Sequence, residues 1–556
     1  MSLQGDKYSV EELEAALAKK PKEQDEDLDN PRFNSDDILA SCRKMPYEHQ
    51  RVGVRALLKK PIFALFDEMG AGKTKQVIDA AQILFRRGEI NQVLVVAPAA
   101  VRSVWYDEEF GELAKHLWHG VPNRAVLYHW RTKYWNWHME SSNEPYLRWV
   151  ITNYEFVRSG EKRLLGILDF CTKNTLLVVE ESSAIKSYSA KQTKAVLKIR
   201  AHCGRVVLLN GTPIANSPGD MYSQGMMMDP KILDCPTANH FRSRYAVIGG
   251  WQKKQVTGWI GIKDLQQRFA PYVLRRLKKD CLDLPAKLDP ITISIPLSEE
   301  TWVIYRKMKE QFIAWLDDMT IATASQAIVR ILRMAQLCGG FLGGLEERKV
   351  RETEQPPAWM IKDILDETNF MSGDLFSPFQ PIREVGREKH DYIINWSKER
   401  LSEDKDFKLL VWCRFTKELE RLADGYSEIN NIQVGKIYGN QSKEERDYAL
   451  QLLNPDSAPE GPAFVVGSPQ AGGMGLNLAG AHTAVYYSNG YNMKDRLQSM
   501  DRLHRPGQKN IVSYFDLVAT GPNGERTIDH TILRAQRNKE NLATMTTEAW
   551  LEALKE

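Results

Sequence analysis

None of the seven cysteines in this 556-residue chain belongs to a Cys-x-x-Cys pair, and their total is odd. That spacing excludes a clipped metal knuckle and argues against a disulfide framework, so the thiols are expected to be buried singly. No run of 18 or more apolar residues occurs, and the first twenty residues lack the apolar core of a secretory signal. An intracellular chain is expected. Net charge is nearly absent: 75 Lys and Arg face 72 Asp and Glu, a formal +3. A nucleic-acid surface would therefore be a local patch, not a global field. The eleven histidines are dispersed, which gives no metal cluster, and there is no local Ser-His-Asp signature and no tandem repeat of a solenoid.

What is present is ordinary globular composition, 43% hydrophobic and 26% charged, in a chain long enough for two large domains at about 150 residues or more each. Short β-rich runs recur from Pro61 to Leu209 (IFALF at 62, VLVVA at 93, LLVV at 176, VVLL at 206) and again from Leu409 (LLVWC, FVV at 464, AVYY at 484, IVSYFDL at 511). Helix-length stretches separate them, the alternation of parallel α/β sheets. The expected organisation is an N-terminal helix and linker (1–35, opened by Ser9 and Glu12), a first α/β domain (36–290), a helical insertion and hinge (291–395), a second α/β domain (396–535) and a C-terminal helix (536–556).

Asp67-Glu-Met-Gly-Ala-Gly-Lys-Thr74 follows one β-rich run and precedes a helical pattern. Strand, glycine loop and helix form a phosphate cradle: Gly70, Ala71 and Gly72 bring backbone N–H groups close, Lys73 reaches the β and γ phosphates, and Thr74 ligates Mg²⁺. Asp67 stands where the strict pattern has glycine. LLVV then ends in Glu180 and Glu181, carboxylates suited to hold Mg²⁺ and to polarise water, respectively, at a strand's carboxyl edge.

In these ordered motifs, from about Met45 to Asp529, the chain resembles a superfamily-two helicase-type motor of the Swi/Snf-like branch of double-stranded DNA translocases. The resemblance implies two RecA-like domains facing an ATP cleft, with helical insertions. It assigns the adenine edge to Gln50 in Met45-Pro-Tyr-Glu-His-Gln50. It places Pro98 and Trp105 (VVAPAAVRSVW) and Thr152-Asn153-Tyr154-Glu155 along the DNA track, and makes Leu209-Asn-Gly-Thr-Pro-Ile214 with Asn216 the coupling motif. Ala270–Lys287 is similar to the signature leaving the first motor domain, and ILRMAQLC to a following helix.

In the second half, Arg414 in LLVWCRF, Gly439 in IYGN, and Ser468 and Gln470 in the glycine-rich motif are implied DNA contacts, with Gly475 facing nucleotide. Gln498, Arg502 and Arg505 resemble the arginine-finger segment, with Arg505 the first choice of finger and Arg502 the second. Their spacing of four and three predicts one shared helix face, and a finger of this kind is worth about 10³ to 10⁵ in rate.

The chain departs from the family's Asp-Glu-x-His by reading Glu180-Glu181-Ser182-Ser183. A methylene moves a carboxylate by about 1 Å, so slow hydrolysis is expected. The implied activity is a DNA-dependent ATPase using ATP and Mg²⁺, a monomer that tracks duplex DNA without reading sequence and that displaces bound protein or moves branch points. A strand-separating DNA or RNA helicase and a weakly hydrolysing, ATP-gated DNA-binding regulator remain alternatives. Without appended reader domains, the chain looks like a compact motor of the cytoplasm of a bacterium or a phage-infected cell.

Three segments have plainer readings. Tyr128–His138 interleaves aromatics with bases, as a single-strand stacking platform does, but is expected as a surface loop. Leu274–Lys279 (LRRLKK) is a phosphate-touching stretch or an internally paired linker helix, and Met226–Met228 is core packing.

Overall fold

A computed structural model describes residues 42–107, 111–128, 145–211, 218–249, 255–318, 324–342, 383–439, 441–455, 457–472, 477–490 and 493–537. The chain divides into two compact units, Met1–Leu284 and Pro285–Glu556. The helices expected near Ser9 and Thr546 lie outside the described residues, as does most of 346–387.

In the first unit the strands are β1 (Ile62–Leu65), β2 (Gln92–Ala97), β3 (Asn123–Leu127), β4 (Leu147–Asn153), β5 (Thr175–Glu180) and β6 (Arg205–Leu209), followed by an antiparallel pair, β7 (Ala246–Gly249) and β8 (Gln255–Trp259), and a short β9 (Val273–Leu274). The main sheet has the order β3-β4-β2-β5-β6-β1-β9 and is parallel throughout. Every residue of β2 and β5 is buried. Helices cover both faces of such a sheet, which is why these strands read as continuous apolar runs and not as alternation. Parallel strands also end on one edge, so the segments after β1, β2, β4, β5 and β6 gather there, the usual place for ligands in open α/β sheets.

The second unit holds β10 (Ile291–Pro296), a small antiparallel pair β11 (Phe341–Leu342) and β12 (Arg383–Glu384), then β13 (Lys408–Trp412), β14 (Gln433–Ile437), β15 (Ala463–Gly467), β16 (Thr483–Tyr486) and β17 (Ser513–Thr520). Its main sheet, β10-β17-β16-β13-β15-β14, is also parallel. Two parallel α/β units match the fold class expected from sequence.

The stretch from 291, expected as insertion and hinge, instead opens as an edge strand of this sheet, with Ile291 opposite Phe515 and Pro296 opposite Thr520. Being largely exposed, β10 lacks the apolar run that marks the other strands. Helix Ala324–Cys338 also packs here: Met334 and Leu337 share a core with Tyr305, Ile528 and Ile532. Met227 and Met228 are buried in the first core, as expected. No helix among the described residues is long and apolar enough to cross a membrane.

Candidate functional site

The chain leaves β1 through Phe66 and Asp67 and turns at Gly70 (φ 84°) and Gly72 (φ 76°) before the helix Lys73–Arg86 begins. Both values lie in the region that only glycine adopts without strain. A side chain at Gly72 would also collide with the carboxamide of Gln50. Lys73, the first helical residue, donates to the carbonyls of Asp67 (2.8 Å) and Glu68 (3.3 Å), and Thr74 is half-buried in the same turn. Gln50, buried in the helix Glu48–Lys59, donates to the Ala71 carbonyl (3.3 Å) and accepts from the Tyr47 amide (3.0 Å), while His49 Nε2 lies 2.9 Å from the same Ala71 oxygen. The sequence-predicted loop and its glutamine thus meet.

The acidic strand end lies beside them. Glu180 ends β5, and Glu181 breaks the strand in a left-handed conformation (φ 51°), costing about 1 kcal/mol or more, a strain typical of functional sites. The Glu180 carboxylate accepts from Trp105 Nε1 at 3.1 Å, and its carbonyl accepts from the Tyr154 hydroxyl at 2.7 Å. Burial, aided by the Glu181 charge, pushes the Glu180 pKa up to about 7; Lys73 and the Trp105 bond pull it down. Lys73 is therefore within Coulombic reach of Glu180. Ser182 donates to Gln224 (2.6 Å) and receives Asn210 Nδ2 (3.4 Å), which joins the acidic motif to the end of β6.

A buried carboxyl that resists ionisation is compensated by a nearby cation, so the residues fit Mg²⁺. Among the described residues no three His, Cys, Asp or Glu converge to hold a metal by themselves. An ion here would rely on the Thr74 hydroxyl, Glu180 and the phosphates of a nucleotide.

Of the residues expected along the DNA track, Pro98 follows β2 and Asn153 ends β4, where its side chain donates to Glu155 (2.8 Å). Thr152 is fully buried and its hydroxyl faces the Tyr128 carbonyl (3.4 Å), so a side-chain DNA contact from Thr152 is not available in this geometry.

In the second unit Arg414, Ser468 and Gln470, from the ends of β13 and β15, line one cleft with Ser488, Asn489 and Arg496. The Arg414 amide donates to Ser488 Oγ (2.8 Å), and the Ser488 hydroxyl donates to Glu418. Gly439 is exposed after β14 with open space around it and is not among the residues lining that cleft. Gly475 lies outside the described residues, as do 212–217 and 129–144, and with them the rest of the coupling motif and of the aromatic-basic stretch.

Gln498, Arg502 and Arg505 do not share a helix face. The helix Met493–Met500 ends first and tightens into turns, with Arg502 N bonding Ser499 O (3.2 Å) and Leu503 N bonding Met500 O (3.3 Å). Pro506 cannot continue a helix, Gly507 is left-handed (φ 102°), and Gln508 Nε2 ties the turn to the Ala479, Ala481 and Leu503 carbonyls. Gln498 and Arg502 are buried, Arg505 only half so. Arg496 anchors the helix by pairing with Asp516 at 2.6 Å over the Tyr486 ring.

In LRRLKK only Lys278 and Lys279 are helical, opening the one-turn helix Lys278–Cys281: Val273 and Leu274 form β9 beside β1, and both arginines are spent internally, Arg275 on the Phe66 carbonyl (3.1 Å) and Arg276 on Asp67. The sequence allowed internal pairing of LRRLKK but did not point to Asp67 as the partner, and it gave no sign of the bond from Trp105 to Glu180. The one visible signal was Asp67 standing in place of the expected glycine.

Comparison with known proteins identifies the family. Residues 49–339 match the SNF2-related domain and residues 391–507 the helicase conserved C-terminal domain. The chain is 25% identical to the TATA-binding protein-associated factor MOT1 of Saccharomyces cerevisiae, across 91% of this chain and 27% of that protein. It is 26% identical to the transcription regulatory protein SNF2 of the same yeast, across 82% of this chain and 25% of that one. The chain thus spans about a quarter of the length of these curated relatives. Among solved structures, the Sulfolobus solfataricus SWI2/SNF2 ATPase core in complex with dsDNA aligns with 86% of this chain and 88% of that one at 21% identity and a TM-score of 0.38. With the SNF2-related match alone covering more than half of its length, the chain belongs to the SNF2-related family of superfamily-two ATPases.

Proposed function

We propose that this protein is an ATP-dependent double-stranded DNA translocase that displaces or remodels DNA-bound protein or moves DNA branch points. The observation that carries the reading is the convergence of the glycine loop and Lys73 with a buried Glu180 whose carboxylate and carbonyl are held by Trp105 and Tyr154, residues of the two segments expected along the DNA track. A nucleotide held by that loop would sit where a DNA-dependent shift of either segment is felt by the acid. The names of the yeast relatives, a TATA-binding protein-associated factor and a transcription regulatory protein, support DNA-bound protein as the class of target.

In this reading the loop amides and Lys73 bind the phosphates, Thr74 and Glu180 hold Mg²⁺, and Glu181 orients the attacking water. The metal, when bound, supplies charge neutralisation for phosphoryl transfer. Gln50 lies beside the loop to meet the base, and Arg505 supplies the cation from the second unit, with Gln498 and Arg502 shaping its turn. Arg414, Ser468 and Gln470 contact the DNA backbone, as do the segments around Pro98 and Asn153. Backbone contacts carry no sequence information, so binding is sequence-tolerant and weakens with salt at a log–log slope of about −0.9 per neutralised phosphate.

The deciding experiment compares ATP turnover on duplex, single-stranded, forked and RNA ligands at equal nucleotide concentration, alongside third-strand displacement from a triplex. Duplex should stimulate most, and the third strand should leave in an ATP-dependent way while a plain partial duplex stays closed. Opening of the partial duplex, or stimulation by RNA alone, would establish a helicase instead. Retained ATP binding with no turnover on any ligand would establish an ATP-gated regulator.

A further inference from the structure

Arg276 lies eight residues before the end of the first unit at Leu284, in the segment expected to lead out of the first motor domain, yet its guanidinium is buried against the glycine loop. Its Nε donates to Asp67 Oδ1 at 2.9 Å and one terminal nitrogen donates to Asp67 Oδ2, a two-pronged pair in which Asp67 is fully buried. The same guanidinium donates to Gln76 Oε1 at 3.0 Å and to the His49 carbonyl. Gln76 belongs to the helix that starts at Lys73, and His49 adjoins Gln50. One side chain therefore holds the rising limb of the loop, the helix below it and the base-side helix together.

The backbone adds to this. Phe66 N bonds Leu274 O (2.8 Å), Glu68 N bonds Arg276 O (2.9 Å), and Lys278 N donates to the Glu68 carboxylate (2.8 Å). The exit segment is laced residue by residue along Phe66–Glu68. The neighbouring helix makes room for the pair at Gly53, where an added side chain would overlap the Gln76 carboxamide and come within 3.2 Å of Arg276.

Apolar packing of the same volume is often as stable as a buried ion pair or more so, so stability alone does not account for this one, and the role considered for it is to fix geometry. Removing glycine's freedom at position 67 makes sense if the loop is meant to be held from outside.

We propose that Arg276 is a positioning residue for nucleotide: through Asp67 it keeps the phosphate loop in its binding shape and makes that shape depend on the segment leading out of the first unit. This rests on the reading of the loop as an ATP site. Movement of that segment would reach the loop through the pair, so nucleotide affinity and domain movement become linked.

The test uses the full chain with Arg276→Lys, which keeps the charge but loses the planar fork, and Asp67→Asn, each beside wild type. The readouts are affinity for a fluorescent ATP analogue, KM and kcat for ATP, duplex-DNA affinity without nucleotide, and amide exchange over residues 67–74 without nucleotide. For Arg276→Lys we expect analogue affinity about tenfold weaker, KM raised to match, kcat at saturation within about threefold, DNA affinity unchanged, and faster exchange confined to the loop. The double variant should be no weaker than the worse single one. Wild-type affinity and exchange in Arg276→Lys would overturn the proposal, as would an equal loss of ATP affinity, DNA affinity and thermal stability, which marks a purely structural pair. If neither single variant folds, faster loop exchange cannot be scored there, and wild-type exchange decides: loop amides must be protected without nucleotide, and unprotected ones would refute a preformed loop. Failure of wild type to bind the analogue would sink the ATP reading itself, a result distinct from any of these.

Discussion

Trp105 and Glu180, 75 residues apart in sequence, are joined by a 3.1 Å hydrogen bond from the indole N–H to a carboxylate that is itself buried. The indole has no other donor, so its direction is committed to that oxygen. Hydrogen bonds to charged groups contribute about 1.5–3 kcal/mol. Trp105→Phe keeps most of the packing and removes the donor, so kcat at saturating Mg²⁺ should fall about tenfold with KM for ATP within a few-fold. Turnover measured against Mg²⁺ concentration checks this; an unchanged kcat would leave Trp105 as packing alone.

The same bond bears on the slow hydrolysis expected from the longer acidic side chain. Glu180 is supported at its own length, because the indole meets the carboxylate where glutamate places it. Shortening it by one methylene withdraws the oxygens by about 1 Å from the indole, and would weaken the hold of the carboxylate on Mg²⁺ when the ion is bound. Glu180→Asp should therefore lower DNA-stimulated kcat several-fold. A tenfold gain would mean instead that glutamate is the misfit and the wild-type motor is slowed by it.

Lys73→Ala removes the ammonium that closes the loop over its own carbonyls and that lies within reach of Glu180. ATP hydrolysis should fall below detection, while duplex affinity without nucleotide stays within about twofold, since the lysine meets nucleotide and not DNA phosphates in this reading. Filter binding and a phosphate-release assay on the same preparation separate the two effects.

Four strands of each sheet (β1, β2, β5 and β6; β13, β15, β16 and β17) were legible in the sequence because strands buried on two faces read as apolar runs, whereas β3, β4, β9 and β14 were not read as strands, and the loop was legible because Gly70 and Gly72 are required by backbone angle. What stayed hidden depends on contacts between distant residues. Asp67 and Arg276 are 209 positions apart, and nothing local marks an arginine in LRRLKK as buried. β10 was hidden for the opposite reason: as an exposed edge strand it has no continuous apolar pattern. The four-and-three spacing of Gln498, Arg502 and Arg505 suggested a helix that the chain ends at Met500, because Pro506 and the amide of Gln508 organise the residues that follow.

That early helix end separates the two candidate fingers. Arg502 is buried beneath the turn and its carbonyl receives the Leu478 amide (3.1 Å), whereas Arg505 is half-exposed beyond it. Arg505→Ala should lower kcat at least a hundredfold with ATP affinity within a few-fold and an unchanged Tm, as expected for a group acting on transition-state charge. Arg502→Ala should lower Tm by several degrees together with activity. The reverse pattern would exchange their roles.

Glu418 gives the second unit a pH dependence that is independent of nucleotide. Its buried carboxylate accepts from the Phe415 amide (3.3 Å) and from the Ser488 hydroxyl beneath Arg414. Desolvation pushes its pKa up to about 7, against the opposing effects of Ser488 and Lys389. An unfolded glutamate titrates near about 4.3. Between those values the folded protein keeps a proton that the unfolded chain has released, so this contribution is complete below about pH 4.5 and is lost as the pH rises through about 7. Glu418→Gln retains an accepting oxygen and cannot ionise, and Lys389 stays compensated by Asp529 at 2.6 Å. The variant should melt close to wild type at pH 5 and higher than wild type at pH 8. Thermal melts of both proteins across that range test the sign, and a Tm difference that is the same at both ends would show that Glu418 does not titrate within it.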